Sequence, residues 1–209
     1  MPETTQQRQS PLAHLGFGGR IRGDLGSAGV GLSDRGFRTL IDLRLDLRKD
    51  PAAADSFEKA AGFRLPETPN TAAGGAEARA LWLGPNEWQI VVADAAPDTG
   101  AAWVTKLRKG LAGHFAAVVE VSHAQAILGV TGPMAREVLA GAVPLDLHPR
   151  AFKPGEVKQT LFGKHCGVTL HLRDETPDFD VYTRRSFAEY VWRYLEDCAR
   201  GACTEVAVL

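Results

Sequence analysis

The sequence has few cysteines, no surplus of one charge sign and no long apolar run, and each lack excludes a class of protein. Cys166, Cys198 and Cys203 are too few and too irregularly spaced for a disulfide framework or a four-cysteine zinc site, so a reducing compartment suits them. A net charge of -1 gives no general attraction to nucleic acid or anionic membranes, and we predict neither as a partner. Without an apolar stretch of about 18 residues or a signal-peptide core, the chain is predicted to be unexported and cytoplasmic.

The remaining composition is that of a folded protein preceded by a polar arm. Hydrophobic residues make up 44% of the 209 residues, enough for one large domain or two small halves. Residues 1–31 are rich in glycine and arginine and poor in large apolar side chains, so we predict a flexible arm there. We do not predict a dinucleotide-binding loop from its glycines, because Ile21 stands where G-x-G-x-x-G requires the third glycine.

Residues 32–122 carry patterns that alternate between strand and helix. The stretch TLIDLRLDLR has the period of two that is typical of a half-buried strand, and a short helix ending at Gly62 follows. ALWLGPNEWQIVV predicts a hairpin, the spacing of Trp103, Leu107 and Leu111 predicts a helix, and AAVVEV predicts another strand. The resulting order, βαββαβ, is the ferredoxin-like signature.

Residues 123–203 predict a second half of similar make-up. QAILGVTG leads into a helix that ends near Gly141, and VKQTLF, GVTLHLR and DFDVYTR are strand candidates. SFAEYVWRYLEDCARG is an amphipathic helix in which Ser186 and Glu189 suggest a capping box. We therefore predict an α+β fold over residues 32–209, with two successive αβ halves whose antiparallel sheets are covered by helices.

No residue of the chain is predicted to be catalytic or to bind a cofactor or a metal. Asp146 and His148 could share a proton on an extended segment, but the flanking prolines favour a loop in which Asp accepts backbone N–H bonds and His faces solvent. His165, Cys166 and His171 lack the spacing of a metal site and are interpreted as ordinary strand residues.

Arg184 and Arg185 are the polar residues that most need an explanation. Two cations just before a helix N-terminus oppose the helix dipole, so something must compensate for them. One alternative is a carboxylate or phosphate on a partner, and the other is local pairing with Asp178 or Asp180. We predict partner contacts at Arg184 and Arg185 and, as a second choice, at the loop of Asp146 and His148.

Several stretches together resemble the gamma subunit of heterotetrameric sarcosine oxidase. They are LGPNEWQIVV, VVEVSHAQAILGVTGPMAREVLAGAVPLDLHPRAFKPGEVKQT and VYTRRSFAEYVWRYL, and the likeness extends from about residue 40 to residue 199. The resemblance implies a fold related to the folate-binding domain of aminomethyltransferases. It also implies membership of a complex with alpha, beta and delta chains, chiefly through alpha.

The same resemblance implies what the complex does. Such an oxidase converts sarcosine, oxygen and tetrahydrofolate to glycine, hydrogen peroxide and 5,10-methylene-tetrahydrofolate. FAD, FMN, NAD and folate would belong to the larger chains and zinc to delta, which leaves this chain a non-catalytic subunit. The alternatives are a stand-alone folate-binding protein related to aminomethyltransferases and an adaptor unconnected with one-carbon metabolism. The repair-factor type of the first alternative carries a KGCYxGQE-like segment, which this sequence lacks.

Overall fold

A computed structural model describes residues 9–16, 25–93, 96 and 98–209. Its strands are β1 (Val30–Asp34), β2 (Arg38–Leu45), β3 (Ala72–Gly74), β4 (Ala78–Gly84), β5 (Glu87–Ala93), β6 (Ala116–Glu120), β7 (Gln125–Thr131), β8 (Val157–Phe162), β9 (Cys166–Leu172), β10 (Asp178–Arg184) and β11 (Val206–Val208). Its α-helices are α1 (Ala52–Ala61), α2 (Thr99–Gly110), α3 (Ala135–Ala140) and α4 (Ala188–Gly201). Together they form the α+β fold that the sequence predicted.

The first sheet is built from consecutive segments of the chain. Its strand order is β3-β4-β5-β2-β6 and all of its pairings are antiparallel. Without the short edge strand β3, the order β6-β2-β5-β4 is the ferredoxin-like arrangement expected from the βαββαβ pattern. Ile41, Leu43 and Leu45 alternate along β2 toward the core beneath α1 and α2, which confirms the predicted half-buried strand.

The second sheet combines strands from distant parts of the chain. Its order is β11-β1-β7-β10-β9-β8, and β1 pairs in parallel with β11 and antiparallel with β7. The predicted division into halves of residues 32–122 and 123–203 does not hold for β1, which belongs to the sheet of the second half. A strand of five residues carries no local signal of a partner almost a hundred residues further along the chain.

The predicted flexible arm also needs correction where the structure describes it. Leu12 is 1% exposed and Val30 is fully buried, and both belong to the core of the second sheet. Ser10 donates a hydrogen bond from its hydroxyl to the Asp34 carboxylate, which fastens this segment to β1. A few apolar anchors suffice here because they enter a core formed by the rest of the chain. The arm residues 1–8 and 17–24 lie outside the described residues.

Helices α3 and α4 cover the second sheet. Val191, Trp192 and Leu195 of α4 are buried among sheet residues. The predicted capping box is absent, because the 3₁₀ turn Arg185–Phe187 precedes α4 and no side chain caps it. Glu189 instead accepts hydrogen bonds from His14 Nε2 at 2.8 Å and Arg193 Nε at 3.1 Å, so one of its contacts ties down the N-terminal segment.

The faces of the two sheets that carry no helices pack against each other. Buried residues from both sheets form this contact: Leu40, Leu81, Val91, Ile127, Val157 and Tyr182. The main chain adds cross-links, including hydrogen bonds from the amide of Val157 to the Asn70 carbonyl at 2.7 Å and from the amide of Ala72 to the Gly155 carbonyl at 2.8 Å. Polar clefts open beside this contact, and they contain the charged residues described next.

Candidate functional site in the inter-sheet cleft

Strand β10 brings acidic and aromatic side chains to the inter-sheet face. Because successive strand residues point to opposite faces, Phe179 and Val181 enter the helix-covered core while Asp178, Asp180 and Tyr182 face the first sheet. Asp180 is 6% exposed. A carboxylate this deeply buried requires charged or hydrogen-bonding partners.

Arg35, just after β1, is one of these partners. Its Nε donates to Asp180 Oδ1 at 3.0 Å, and its Nη2 contacts the Asp178 carboxylate. The guanidinium lies over Gly129 of β7, where an added Cβ would come within 2.4 Å of Arg35 Nε and 2.3 Å of Ser33 Oγ. The glycine is thus needed for close approach, and a side chain at that position would displace the arginine.

Arg173 and His171 complete the cluster from β9 and the residue after it. Arg173 Nη1 lies 3.4 Å from Asp178 Oδ2, and its Nε lies 3.8 Å from Asp180 Oδ2. His171 is paired in register with Asp180, but its Nδ1 is 3.9 Å from Asp180 Oδ2, which is too far for a hydrogen bond. This buried Nδ1 has no partner among the described residues.

Burial and the arginines set the protonation states of the cluster. Burial, and then the charges of Arg79 and Arg173, lower the pKa of His171 to about 3, so the imidazole is neutral. Burial raises the pKa of Asp180, while Arg35 and Arg173 oppose that rise. Burial also raises the pKa of Tyr182, whose hydroxyl lies 3.5 Å from Asp180 Oδ2.

Two adjacent chambers, which share Ala76, Arg79 and Arg173 in their linings, lie beside the cluster. The inner one has a volume of about 100 Å³ and receives Arg38 and Arg79 from the first sheet. The outer one has a volume of about 340 Å³ and is walled by residues 72–76 together with His171, Arg173, Asp174 and Asp178. The cleft is therefore a positively charged seam between the sheets, which can hold oppositely charged groups in place.

A larger cleft of about 550 Å³ opens at another part of the seam. Polar residues of both sheets line it, including the buried Gln89 and Thr183 and the exposed Arg184. The side chain of Arg184 forms no hydrogen bond or ion pair with the rest of the described chain. This leaves its guanidinium open to the cleft.

The structure separates the two arginines that the sequence grouped together. Arg185 Nη2 donates to the carbonyl of Gln9 at 2.9 Å, so it holds the N-terminal segment of its own chain. The alternative of local pairing with Asp178 or Asp180 was wrong, because Arg35 and Arg173 bind those carboxylates. Whether either arginine reaches a partner stays a prediction.

Asp146 and His148 lie in an exposed loop, as the preferred interpretation expected. Asp146 Oδ1 accepts a hydrogen bond from the backbone N–H of His148 at 2.9 Å, and His148 Nδ1 accepts one from the N–H of Arg150 at 3.2 Å. Both side chains thus stabilise their own turn. A role for this loop in partner contact stays a prediction.

The three residues considered as metal ligands point to different surroundings. His165 packs edge-on against Tyr190 with ring centroids 5.6 Å apart, Cys166 is buried in the second core, and His171 faces the inter-sheet cleft. Within the described ranges no group of three or more His, Cys, Asp or Glu side chains is placed to hold a metal ion. Over the same ranges no helix is long and apolar enough to cross a membrane.

The inter-sheet cluster was not predicted from the sequence. The alternation of Asp178, Asp180 and Tyr182 in DFDVYTR was a usable signal, since it predicts one polar face on a strand whose other face is apolar. Nothing in one sequence could indicate that Arg35 and Arg79, from distant segments, meet that face.

Comparison with protein families gives one clear match. The profile of the sarcosine oxidase, gamma subunit family matches residues 46–201. The sarcosine oxidase subunit gamma of Arthrobacter sp. is 35% identical over 208 residues, covering 98% of this chain and 94% of the relative. The corresponding subunit of Corynebacterium sp. strain U-96 is 30% identical over 210 residues, covering 99% of this chain and 98% of the relative.

Solved structures agree with the sequence relatives. A chain of the heterotetrameric sarcosine oxidase from Corynebacterium sp. U-96, in complex with pyrrole 2-carboxylate, superposes with a TM-score of 0.80 at 28% identity, over 94% of this chain and 96% of that one. The glycine cleavage system aminomethyltransferase T from Bartonella henselae superposes with a TM-score of 0.58 at 16% identity, over 86% of this chain and 48% of that one. The second likeness concerns the fold alone and confirms the expected relation to aminomethyltransferases.

Proposed function

We propose that this chain, which belongs to the sarcosine oxidase gamma subunit family, is a non-catalytic subunit of a heterotetrameric sarcosine oxidase. The observation that carries the proposal is the superposition on a chain of such an oxidase over 94% of this chain, with a TM-score of 0.80. The same match covers 96% of the other chain, so the two chains correspond over nearly their full lengths.

The reaction we assign to the whole assembly is the oxidative demethylation of sarcosine. Sarcosine, oxygen and tetrahydrofolate would yield glycine, hydrogen peroxide and 5,10-methylene-tetrahydrofolate in the cytoplasm. FAD, FMN, NAD and folate would be held by the larger partner chains and zinc by the delta chain. The cluster of Arg35, Asp178 and Asp180 supports a structural use of this chain's own charged residues, since the carboxylates are engaged by arginines.

We assign the main contact with the assembly to the alpha chain and place Arg184 in it. Arg184 is exposed beside a cleft of about 550 Å³ that is large enough to receive side chains of another protein. Arg185 would contribute by holding residue Gln9 of its own chain, with the Asp146 to Arg150 loop as a second contact. Arginine suits this role because its guanidinium pairs with carboxylates through two hydrogen bonds.

The division of labour can be tested on the full chain purified alone. We expect a colourless protein without sarcosine oxidase activity and without measurable tetrahydrofolate binding by calorimetry. After co-expression with the three other chains, the purified assembly should absorb near 450 nm and oxidise sarcosine. The assembly prepared without this chain is the control for loss of activity through incomplete assembly.

Two results would contradict the proposal. Flavin bound to the isolated chain at about one per molecule would make it a redox subunit in its own right. Stoichiometric binding of tetrahydrofolate by the isolated chain would favour the alternative of a stand-alone folate-binding protein.

A further inference from the structure

We propose that the inter-sheet cleft of this chain binds a small oxyanion, through Arg38 and Arg79 of the first sheet and His171 of the second. The ligand class is a carboxylate or phosphate group. The site is distinct from the assembly role proposed above and does not depend on it.

The inner chamber is surrounded by more cations than its acids can neutralise. It has a volume of about 100 Å³, and its ionisable lining contains four arginines and one aspartate in addition to Tyr182. These residues are Arg35, Arg38, Arg79, Arg173 and Asp180. With Asp174 and Asp178 of the outer chamber included, the described lining of the two chambers has one more positive than negative charge.

The arginines of the cluster differ in whether a carboxylate of the described chain pairs with them. Arg35 and Arg173 are engaged by Asp178 and Asp180. Arg79 has no carboxylate partner among the described residues, and the side-chain bond recorded for Arg38 goes to the carbonyl of Phe37 at 2.8 Å. Guanidinium groups in a partly enclosed site favour an anion that can accept several hydrogen bonds.

His171 supplies an independent indication of a ligand. The residue is 3% exposed, its Nδ1 has no hydrogen-bond partner in the described chain, and it lines the outer chamber. A buried polar atom without a partner is costly, typically about 1–3 kcal/mol. An oxyanion or its hydration water in the outer chamber would satisfy the imidazole.

The dimensions of the chambers limit the ligand. The inner chamber accommodates only a compact head group, and its apolar side is formed by Val91, Ala93 and Ile127. The outer chamber of about 340 Å³ has room for a short chain attached to that group. A phosphate ion or a small organic acid fits this description, whereas a polyanion does not.

The test is the binding of inorganic phosphate and of succinate to the full chain. Binding is measured as the change in the midpoint of thermal unfolding with anion concentration, at constant ionic strength and with chloride as the reference salt. A ligand that binds the folded state raises the midpoint in a saturable manner. We expect saturation with at least one anion and at least a tenfold weaker apparent affinity in Arg79→Gln. Arg38→Gln should weaken binding as well and serves as the second variant if Arg79→Gln is poorly folded.

Arg64→Gln is the matched control. Arg64 is half-exposed and contacts Glu58 and Asp55 of α1, outside the lining of both chambers, so the same charge change there should leave the affinity within twofold of the original. The anion that gives the lower saturation midpoint identifies the preferred head group. No saturable rise with either anion, or an equal rise in Arg79→Gln and the original chain, overturns the proposal.

Discussion

The two sheets of this molecule differ in the sequence separation between their strands. The five-stranded sheet uses only segments between residues 38 and 120, whereas the six-stranded sheet joins β1 and β11 from opposite ends of the described chain to β7, β10, β9 and β8. The strands of the first sheet are joined by short stretches of chain. The second sheet is complete only when β11, the last strand of the chain, has paired with β1. This difference explains why the strand order of the five-stranded sheet was predicted from the sequence, whereas the pairing of β1 and β11 in the six-stranded sheet was not.

The sheets also contribute differently to the polar seam between them. The six-stranded sheet supplies Asp178, Asp180 and His171, and the five-stranded sheet supplies Arg38 and Arg79. The acids are already bound by arginines of their own half. The site therefore exists only when both halves are folded and in contact.

The largest expected change in stability comes from replacing a buried tryptophan in either half, and it tests whether the two halves unfold together. Trp88 lies in the core of the first half and Trp192 in that of the second, and each is 1% exposed. Replacing either by alanine should lower the free energy of unfolding by about 3–5 kcal/mol, because each replacement leaves a large cavity. Urea titrations followed by circular dichroism should show one transition that both variants shift.

The single transition is expected because buried residues of both sheets pack against each other, among them Leu81 and Ile127. Two separate transitions, with Trp88→Ala shifting one and Trp192→Ala the other, would show that the seam does not couple the halves.

A smaller effect concerns the close packing behind the acid cluster. Gly129→Ala should lower the free energy of unfolding by about 1–3 kcal/mol, because its Cβ would collide with Arg35 and Ser33. Gly167→Ala, in strand β9 of the same sheet, is the matched control: the nearest atom to its added Cβ is 3.9 Å away, so a change within about 0.5 kcal/mol is expected. Equal destabilisation would show that Arg35 is not held against Gly129.

The pH dependence of stability should report on His171. The pKa of His171 is lowered from 6.5 to about 3 in the folded chain. Below pH 6.5 the imidazole is therefore protonated in the unfolded chain but stays neutral in the folded chain. This residue should therefore cost about 1 kcal/mol of stability between pH 6 and pH 5. The raised pKa of Asp180 acts in the opposite direction, because the folded state then binds its proton first.

Urea unfolding at pH 6 and pH 5 tests this sign. His171→Asn retains the surrounding Arg79, Arg173 and Asp180 but lacks the imidazole proton, so the loss of stability over this interval should shrink by about 1 kcal/mol. An unchanged loss would place the titrating group elsewhere in the seam.

The smallest effect on folding is expected at Arg184. Arg184→Ala removes an exposed side chain without described partners and should change the free energy of unfolding by less than about 0.5 kcal/mol. If Arg184 is a partner contact, its loss should weaken association with the other subunits at least tenfold. Arg185→Ala, which removes the bond to Gln9, serves as the comparison, and equal affinities of Arg184→Ala and the unaltered chain would remove Arg184 from the interface.

Local patterns were sufficient for most of the fold. The βαββαβ order, the hairpin of β4 and β5 and the boundaries of β10 followed from periodicity and turn residues, since each depends on neighbours in sequence. The resemblance to sarcosine oxidase gamma subunits also led to the correct family. The pairing of β1 with β11 and the burial of Leu12 depend on distant segments, and composition alone suggested an arm instead.

The candidate site was beyond sequence reasoning for a related reason. Arg184 and Arg185 were noticed because they are adjacent, whereas Arg35, Arg79 and Asp180 come from three separate strands or loops. His171 was interpreted as an ordinary strand residue because it lacks the spacing of a metal site, and it does lie in β9, but the sequence contains no sign of the arginines near it. Burial and register, which bring these groups together, are properties of the fold.

The most direct test of the central claim is the mass of the assembly captured through an affinity tag on this chain. After co-expression with candidate alpha, beta and delta chains, native mass spectrometry should show one copy of each chain in a single complex that oxidises sarcosine. Recovery of this chain alone, with an active oxidase of the other three in the flow-through, would contradict the account.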